Sequence, residues 1–415
     1  MNYLYSANTF EEQDSAIQKK NSLHKTKIIK YLYVSGRKTN AEICKHLKIS
    51  APTSFYILNE LMEDEIVEKQ GFGRSIGGRK PDLYGLKANS FYVLAIEINK
   101  YKTSISVFDN HHNNVGGIRS FDLEIDNNIE TLDKLHLYAN EVFEKSGIDI
   151  KKLVAVGISM PGLVDSHTGY NYTYFNYGEK SVRQLLEEKF HCSVFIENDA
   201  KAIALAELRF GLAKNKKNVL VLYLDWGIGL GLILNGKLFT GTSGFAGEFG
   251  HISIIEDDVL CHCGKRGCLE IVASGASLVR DAKAGVLDGK SIILNEMCSG
   301  NLALIDPKLV VAAAVRGDQF AINLLSEVGA KLGKGISLLI QLFNPELIIL
   351  NGKVAEAGQY ITIPIQQSLN TYCLPHLKQQ SEIVISEMTE NVGIKGAIAV
   401  AMENIFEVAI KSSSI

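Results

Sequence analysis

Apolar positions near the start of the chain recur at helical spacing three times and then give way to strand spacing. Ile28, Ile29, Leu32 and Tyr33 fall on one face of a first helix, and Ala41, Ile43, Cys44 and Leu47 on one face of a second. Thr39-Asn40 supplies the start signal of that second helix. After the turn Lys48-Ile49-Ser50, a third helix is expected from about Ala51 to Met62. Pro52 is tolerated in its first turn, and Ile57, Leu58, Leu61 and Met62 face inward. Ile66 to Lys69 and Asp82 to Leu86 then read as two strands on either side of a glycine-rich loop that ends Gly77-Gly78-Arg79-Lys80-Pro81. Met1 to about Lys20 shows no apolar periodicity and reads as a flexible tail.

From about Ser90 the pattern becomes α/β. Tyr92 to Asn99 and Thr103 to Asp109 read as a hairpin, Ser120 to Ile125 as a third strand, Ile129 to Ser146 as a helix and Leu153 to Ser159 as a strand. Met160-Pro161-Gly162 is a turn able to bring backbone close to a ligand. Residues 181–190 read as a helix and Ser193 to Ile196 as a strand that hands over, at Glu197-Asn198-Asp199-Ala200, to a helix ending near Gly211. Such strand ends are favoured ligand positions in α/β sheets. A second cycle starts at Asn218, with Val219 to Asp225, the glycine-rich run Gly227-Ile228-Gly229-Leu230-Gly231, and Ile233 to Leu238. A helical section from about Gly275 to Phe343, a buried strand at Pro345 to Leu350 and a closing helix at Gly393 to Glu407 complete it. The repetition predicts two related lobes with a cleft between them: 89–212 with 390–410, and 213–389, preceded by a module at 21–88.

Within the second lobe, His251, Cys261, Cys263 and Cys268 offer one imidazole and three thiols, a closed Cys₃His tetrahedral shell for a structural zinc. Gly264 and Gly267 let the backbone turn tightly around an ion. Glu248 and Glu270 flank this knot, and a metal that fixes its flanks would hold both carboxylates in one place. The remaining thiols, Cys44, Cys192, Cys298 and Cys373, stand at no disulfide-like spacing, which fits a reducing compartment.

Charge separates the module from the body. Residues 21–90 hold twelve Lys or Arg against seven Asp or Glu, a net +5 in a chain of net −3, which leaves −8 for the rest. A basic three-helix module with a hairpin wing is the electrostatic footprint of a winged helix-turn-helix on operator DNA. Residues 51–62 carry no Lys or Arg, so phosphate and minor-groove contacts fall to Arg74, Arg79 and Lys80 on the wing. Base reading falls to Thr53, Tyr56 and Asn59 along one ridge of the third helix. No run of about eighteen apolar residues and no signal-peptide order appear, so a cytoplasmic protein with no membrane partner is expected.

Taken together, Gly-Glu-Phe-Gly-His at 247–251, Cys-His-Cys-Gly-Lys-Arg-Gly-Cys-Leu-Glu at 261–270, Gly157 to Gly162, Glu197 to Ala200, Asn344-Pro345-Glu346 and Gly77 to Pro81 resemble the ROK family of repressors, open reading frames and kinases over about residues 21–410. The resemblance implies an actin-like, hexokinase-type two-lobed α/β fold behind the winged helix-turn-helix, with a sugar in the cleft and zinc beside it. It further implies that Asn198, Asp199, Glu248, His251 and Glu270 contact sugar hydroxyls, with Gly162 and Asn176 as weaker candidates, and that Asp199 stands where the kinases keep their base.

Both phosphate-holding turns of the kinase pattern are altered. Asp-x-Gly-Gly-Thr-Lys is replaced by Glu97-Ile98-Asn99-Lys100-Tyr101-Lys102, and Gly-Thr-Gly-Ile-Gly by Asp225-Trp226-Gly227-Ile228-Gly229. Lys353 stands in place of a glycine after Asn351-Gly352. Lost glycines and added bulk and negative charge make ATP a poor ligand, and Asp199 without a phosphoryl donor is a vestigial base. The expected protein is a non-catalytic, sugar-responsive repressor of carbohydrate-utilisation genes, answering to a sugar or sugar phosphate and acting as a homodimer or homotetramer. An ATP-dependent sugar kinase, and a regulator whose sensor binds a protein instead of a sugar, are the alternatives.

Overall fold

The computed structural model describes residues 16–74, 80–176, 178–254, 259–388 and 390–412. Two compact units emerge, Met1–Asn198 with Ala397–Ile415, and Asp199–Gly396.

The first unit opens with the module. Helix α1 (Ala16–Ser35) begins inside the segment expected as a tail, and is followed by β1 (Lys38–Thr39), α2 (Asn40–Leu47), α3 (Ala51–Glu63), β2 (Val67–Phe72) and β3 (Asp82–Leu86). The three strands form an antiparallel sheet in the order β1-β3-β2. Thr39 caps α2 in a reciprocal box with Glu42, and Ser50 caps α3 through the Thr53 amide. These caps satisfy amides that a helix start otherwise leaves bare. Ile28, Ile29, Leu32, Ile43, Ile57, Leu58 and Leu61 form the module's core.

Next come β4 (Tyr92–Ile98), β5 (Lys102–Asp109), β6 (Asn114–Asp122), α4 (Ile129–Lys145), β7 (Leu153–Met160), the small hairpin β8 (Val164–Asp165) and β9 (Tyr170–Asn171), α5 (Val182–Phe190) and β10 (Ser193–Asn198). They build a five-stranded sheet in the order β10-β7-β4-β5-β6. The central strands β4 and β7 are buried along nearly their whole length, and α4 and α5 close the core with Leu132, Leu135, Ala139 and Leu186. Strand β6 starts six residues before the expected Ser120 and ends at Asp122. Its mostly exposed side chains and the positive-φ pair Gly116-Gly117 hide an edge strand from a reading based on apolar alternation.

The second unit begins with α6 (Asp199–Phe210) and a five-stranded sheet, β11 (Val219–Leu224), β12 (Ile228–Leu234), β13 (Lys237–Phe239), β14 (Leu347–Asn351) and β15 (Glu382–Ile385), in the order β13-β12-β11-β14-β15. Between β13 and β14 run α7 (Glu270–Ala273), α8 (Gly275–Leu287), α9 (Ile292–Met297), α10 (Pro307–Val315) and α11 (Gln319–Phe343). After β14 come α12 (Gln359–Tyr372), α13 (Pro375–Lys378) and α14 (Val392–Ser412), whose last residues return to the first unit. Among the described residues no single helix is long and apolar enough to cross a membrane.

Two expectations are corrected here. The strand expected from Ile233 begins at Ile228, inside the glycine-rich run, and is β12. A Cβ on Gly229 or Gly231 would lie 2.4 or 2.2 Å from the Cβ of Ala200 or Ala204, so these glycines let α6 lie close on the sheet. For the same reason α6 belongs to the second unit, not to a first lobe ending at 212: Ile203, Ala204 and Ala206 share a core with Val219, Val221 and Ile233. Gly231→Ala should therefore destabilise the second unit by about 1 to 3 kcal/mol through overpacking, as a lower urea midpoint at unchanged slope would record.

Candidate metal and ligand site

The knot is built on a short 3-10 turn, Phe249–His251, and a tight loop from Cys261 to Cys268. The Cys261 amide donates to Lys265 O at 2.7 Å, and the Gly264 amide to Cys261 O at 2.9 Å. Gly264 and Gly267 take φ of +85° and +71°, conformations that side chains other than glycine rarely adopt. The four expected donors converge: one ligand atom each from His251, Cys261, Cys263 and Cys268 lies within 4.8 Å of every other. Cys263 Sγ and Cys268 Sγ are 3.7 Å apart, as are Cys261 Sγ and His251 Nδ1. Metal–sulfur bonds of about 2.3 Å at tetrahedral angles place sulfurs about 3.8 Å apart, so the cluster fits a tetrahedral ion and is far too open for a disulfide. Burial and the two neighbouring thiols push Cys268 up to about 12, a cost that a bound cation removes by replacing the proton.

His251, His262 and Glu270 form a second set of donors, with His262 Nδ1 3.6 Å from Glu270 Oε1. It shares His251 with the first set. A neutral imidazole has one lone pair to offer, so the two sets compete, and three thiols favour the first.

Around the knot, Phe249 and Leu269 are fully buried and rest on Gly335 of α11, where a Cβ would meet Phe249 at 2.7 Å and Leu269 at 3.1 Å. These anchors fix their sequence neighbours Glu248 and Glu270. Glu270 Oε2 accepts from the Ile228 amide at 2.9 Å, which ties the knot to β12. Desolvation raises the Glu248 pKa although part of its surface remains exposed; Lys201 and His251 oppose the shift and Glu270 adds to it.

Lys201 is the residue that pattern reading missed. Only 2% exposed, it lies in α6 two positions after Asp199, and its ammonium donates to Gly244 O in the segment leading to Glu248. A lone lysine among Ala200, Ala202, Ile203 and Ala204 was the available signal, because a buried ammonium needs partners.

Asp199 opens α6 and accepts from the Ala200 amide at 2.8 Å. In the first unit, Asn198 donates through Nδ2 to Gly162 O at 3.1 Å, so these two predicted residues are joined. Asn176 is exposed, and its amide donates to Asn127 Oδ1 at 3.1 Å.

The two segments read as altered phosphate turns each carry hydrogen bonds of their own. In the first, the Asn99 amide donates to Lys102 O at 2.8 Å and Tyr101 stands 58% exposed. In the second, the Asp225 carboxylate accepts from Tyr223 OH at 3.3 Å and the Trp226 amide at 2.9 Å, and pairs with Lys353 at 3.4 Å. The negative charge that Asp225 adds is thus matched by Lys353. The first amides of α8, Gly275 and Ala276, donate to the carbonyls of Asp225 and Trp226 at 2.8 and 3.0 Å, so a helix start that could hold an anion is already engaged.

On the module, Tyr56 is 54% exposed and donates to Glu60 Oε1 at 3.0 Å, and Phe55 beside it is 48% exposed. Thr53 and Asn59 are half-buried, with the Thr53 hydroxyl 2.7 Å from Ser50 Oγ in the helix cap. Arg74 and Lys80 are exposed, while Arg79 lies outside the described residues. Phe55, a second exposed aromatic on α3, was not among the expected base readers.

Residues 127–404 match the ROK family, and residues 23–68 match a winged helix-turn-helix DNA-binding domain. The chain belongs to the ROK family. Its relatives include the xylose repressor of Bacillus spizizenii, 28% identical over 92% of this chain and 95% of that protein. They also include a glucokinase of Halalkalibacterium halodurans, 34% identical over 59% of this chain and 74% of that one. The fold follows a solved ROK family transcriptional regulator, a homolog of the E. coli MLC protein, with a TM-score of 0.79 and 23% identity over 95% of this chain and 99% of that chain. ROK proteins thus number both regulators and kinases among this chain's relatives.

Replacing one thiol should disable the knot. Cys263→Ser is expected to weaken metal retention against a mild chelator by at least about tenfold and to lower the thermal midpoint, whereas Cys44→Ser retains the metal; elemental analysis after dialysis checks both.

Proposed function

We propose that this ROK protein is a sugar-responsive, DNA-binding transcriptional repressor with a non-catalytic sensor and a structural zinc. The observation that carries the reading is the conjunction of a winged helix-turn-helix with a Cys₃His knot flanked by two carboxylates, in a chain whose Asp225 turn is paired with Lys353. Zinc is the metal suited to three thiolates and one imidazole in a closed tetrahedral shell. Bound there, it supplies no open coordination position, so its role is to hold Glu248 and Glu270 in place.

The proposed effector is a sugar or sugar phosphate. Its vicinal hydroxyls suit carboxylates and amides that accept and donate in pairs, here Asn198, Asp199, Glu248, His251 and Glu270, with Gly162 and Asn176 as further candidates. The effector shifts the operator equilibrium only if it binds the DNA-competent and released states unequally. Arg74, Arg79 and Lys80 are assigned to backbone contacts and Thr53, Tyr56 and Asn59 to bases. Paired half-sites call for paired modules, so the working form is a homodimer or a pair of dimers. A cytoplasmic location goes with that reading.

A second reading, an ATP-dependent sugar kinase, is favoured by the glucokinase relative and by Asp199 at the start of α6. An ADP-release assay over a sugar panel decides between the two: steady turnover abolished by Asp199→Asn would establish the kinase, and the repressor reading expects none.

Two outcomes are expected of the repressor. In gel shifts with DNA from upstream of its own gene, the double change Arg74→Ala with Lys80→Ala should weaken binding to all sequences and reduce the salt slope by about 2, whereas Asn59→Ala should relax selectivity. In a thermal-shift screen of sugars and sugar phosphates, Glu248→Gln should weaken the response by about 10- to 100-fold in apparent affinity, the worth of one charged hydrogen bond. A protein that ignores its own upstream DNA would refute the reading.

A further inference from the structure

In the segment that leaves the wing, residues 86–90, four backbone groups are held by side chains from elsewhere in the first unit. Asn110, in the turn between β5 and β6, is 3% exposed and uses both ends of its amide: Nδ2 donates to Lys87 O at 2.9 Å, and Oδ1 accepts from the Ser90 amide at 3.2 Å. His111 Nε2 lies 3.1 Å from Leu86 O and, facing a carbonyl, must be the donor. Lys152, just before β7, donates to Asn89 O at 3.3 Å.

The turn that carries these groups is itself rigid. The Asp109 carboxylate accepts from the amides of His111 and Asn113, each at 2.8 Å, and from Asn113 Nδ2 at 3.0 Å. His112 packs edge-on to Tyr33 of α1 at 5.1 Å between centroids, and Tyr33 in turn meets Phe406 of α14 at 5.4 Å.

Next to this row of bonds the packing is open. A solvent-open groove of about 330 Å³ lies between α1, the wing and the turn, lined by Leu32, Tyr33, Arg37, Gln70, Leu86 and His111 among others. Where a groove separates two parts, their directional bonds carry more of the task of fixing the angle between them than close packing does.

We propose that Asn110 is a positioning residue for operator binding, the point at which the five-stranded ROK sheet fixes the attitude of the winged module. This rests on the repressor reading. Asn110 touches no DNA; it acts by clamping the linker on which α1 to α3 and the wing are carried. Any change that reaches β5 or β6 is passed to the module through this turn.

Full-length protein carrying Asn110→Ala is compared with wild type in three measurements: hydrogen exchange, thermal midpoint with metal content, and gel shift on the DNA upstream of its own gene. The expected result is faster exchange at the Ser90 amide and across α1 to α3, unchanged exchange in the five-stranded sheet, unchanged metal, and about tenfold weaker operator binding. Asn110→Asp keeps the acceptor for Ser90 but sets a carboxylate oxygen against the Lys87 carbonyl, and should loosen the module at least as much as the alanine change. Unaltered exchange in the module would overturn the clamp whether or not the protein binds DNA. Faster exchange throughout the sheet would overturn it too, by reducing Asn110 to a general stability residue. Wild-type protein that fails to shift DNA would instead refute the repressor reading, and the exchange arm would still decide the clamp.

Discussion

Four donor atoms have to meet within a few ångströms, and the chain that brings them together has little freedom left. Between Cys261 and Cys268 the backbone reverses on two glycines with positive φ. Phe249 and Leu269 fasten both sides of the knot to α11, and Glu270 fastens it to β12. Glu248 and Glu270 owe their placement to this fastening. A carboxylate on an unsupported loop would sample many positions, whereas one next to a buried aromatic side chain is confined, and part of the ordering cost is met before any ligand arrives.

Much of this was legible in the sequence because it rests on local signals. Cys and His spacing, the cap at Thr39, and the apolar faces of α2 and α3 each depend on residues a few positions apart. What escaped depends mostly on residues far apart in sequence. The glycines at 229 and 231 have no evident reason until Ala200 and Ala204 are laid against them, and only then is their lack of a side chain explained by the closeness of α6. The same contact moves α6 into the second unit. The bounds of β6 escape because an exposed edge has no apolar rhythm to read, and Lys201 is betrayed only by its apolar neighbours in α6.

The two departures from the kinase pattern at Asp225 and Lys353 illustrate the same point. One by one, each counts as damage to a nucleotide site. As a pair 3.4 Å apart they form a neutral, hydrogen-bonded closure that also takes in Tyr223 and the Trp226 amide. The amides and charges of this turn are thus satisfied by the chain itself.

Helix α3 presents Phe55 and Tyr56 to solvent, and its own Glu60 accepts the tyrosine hydroxyl. A surface of that kind is repelled, not drawn, by a polyanion, so it approaches a groove only when some other part of the molecule has brought it there. On the proposed assignment, attraction and discrimination are lodged in separate segments of the chain, so a lineage that edits α3 alone retargets the protein to new promoters without altering how strongly it is held to chromosomal DNA in general.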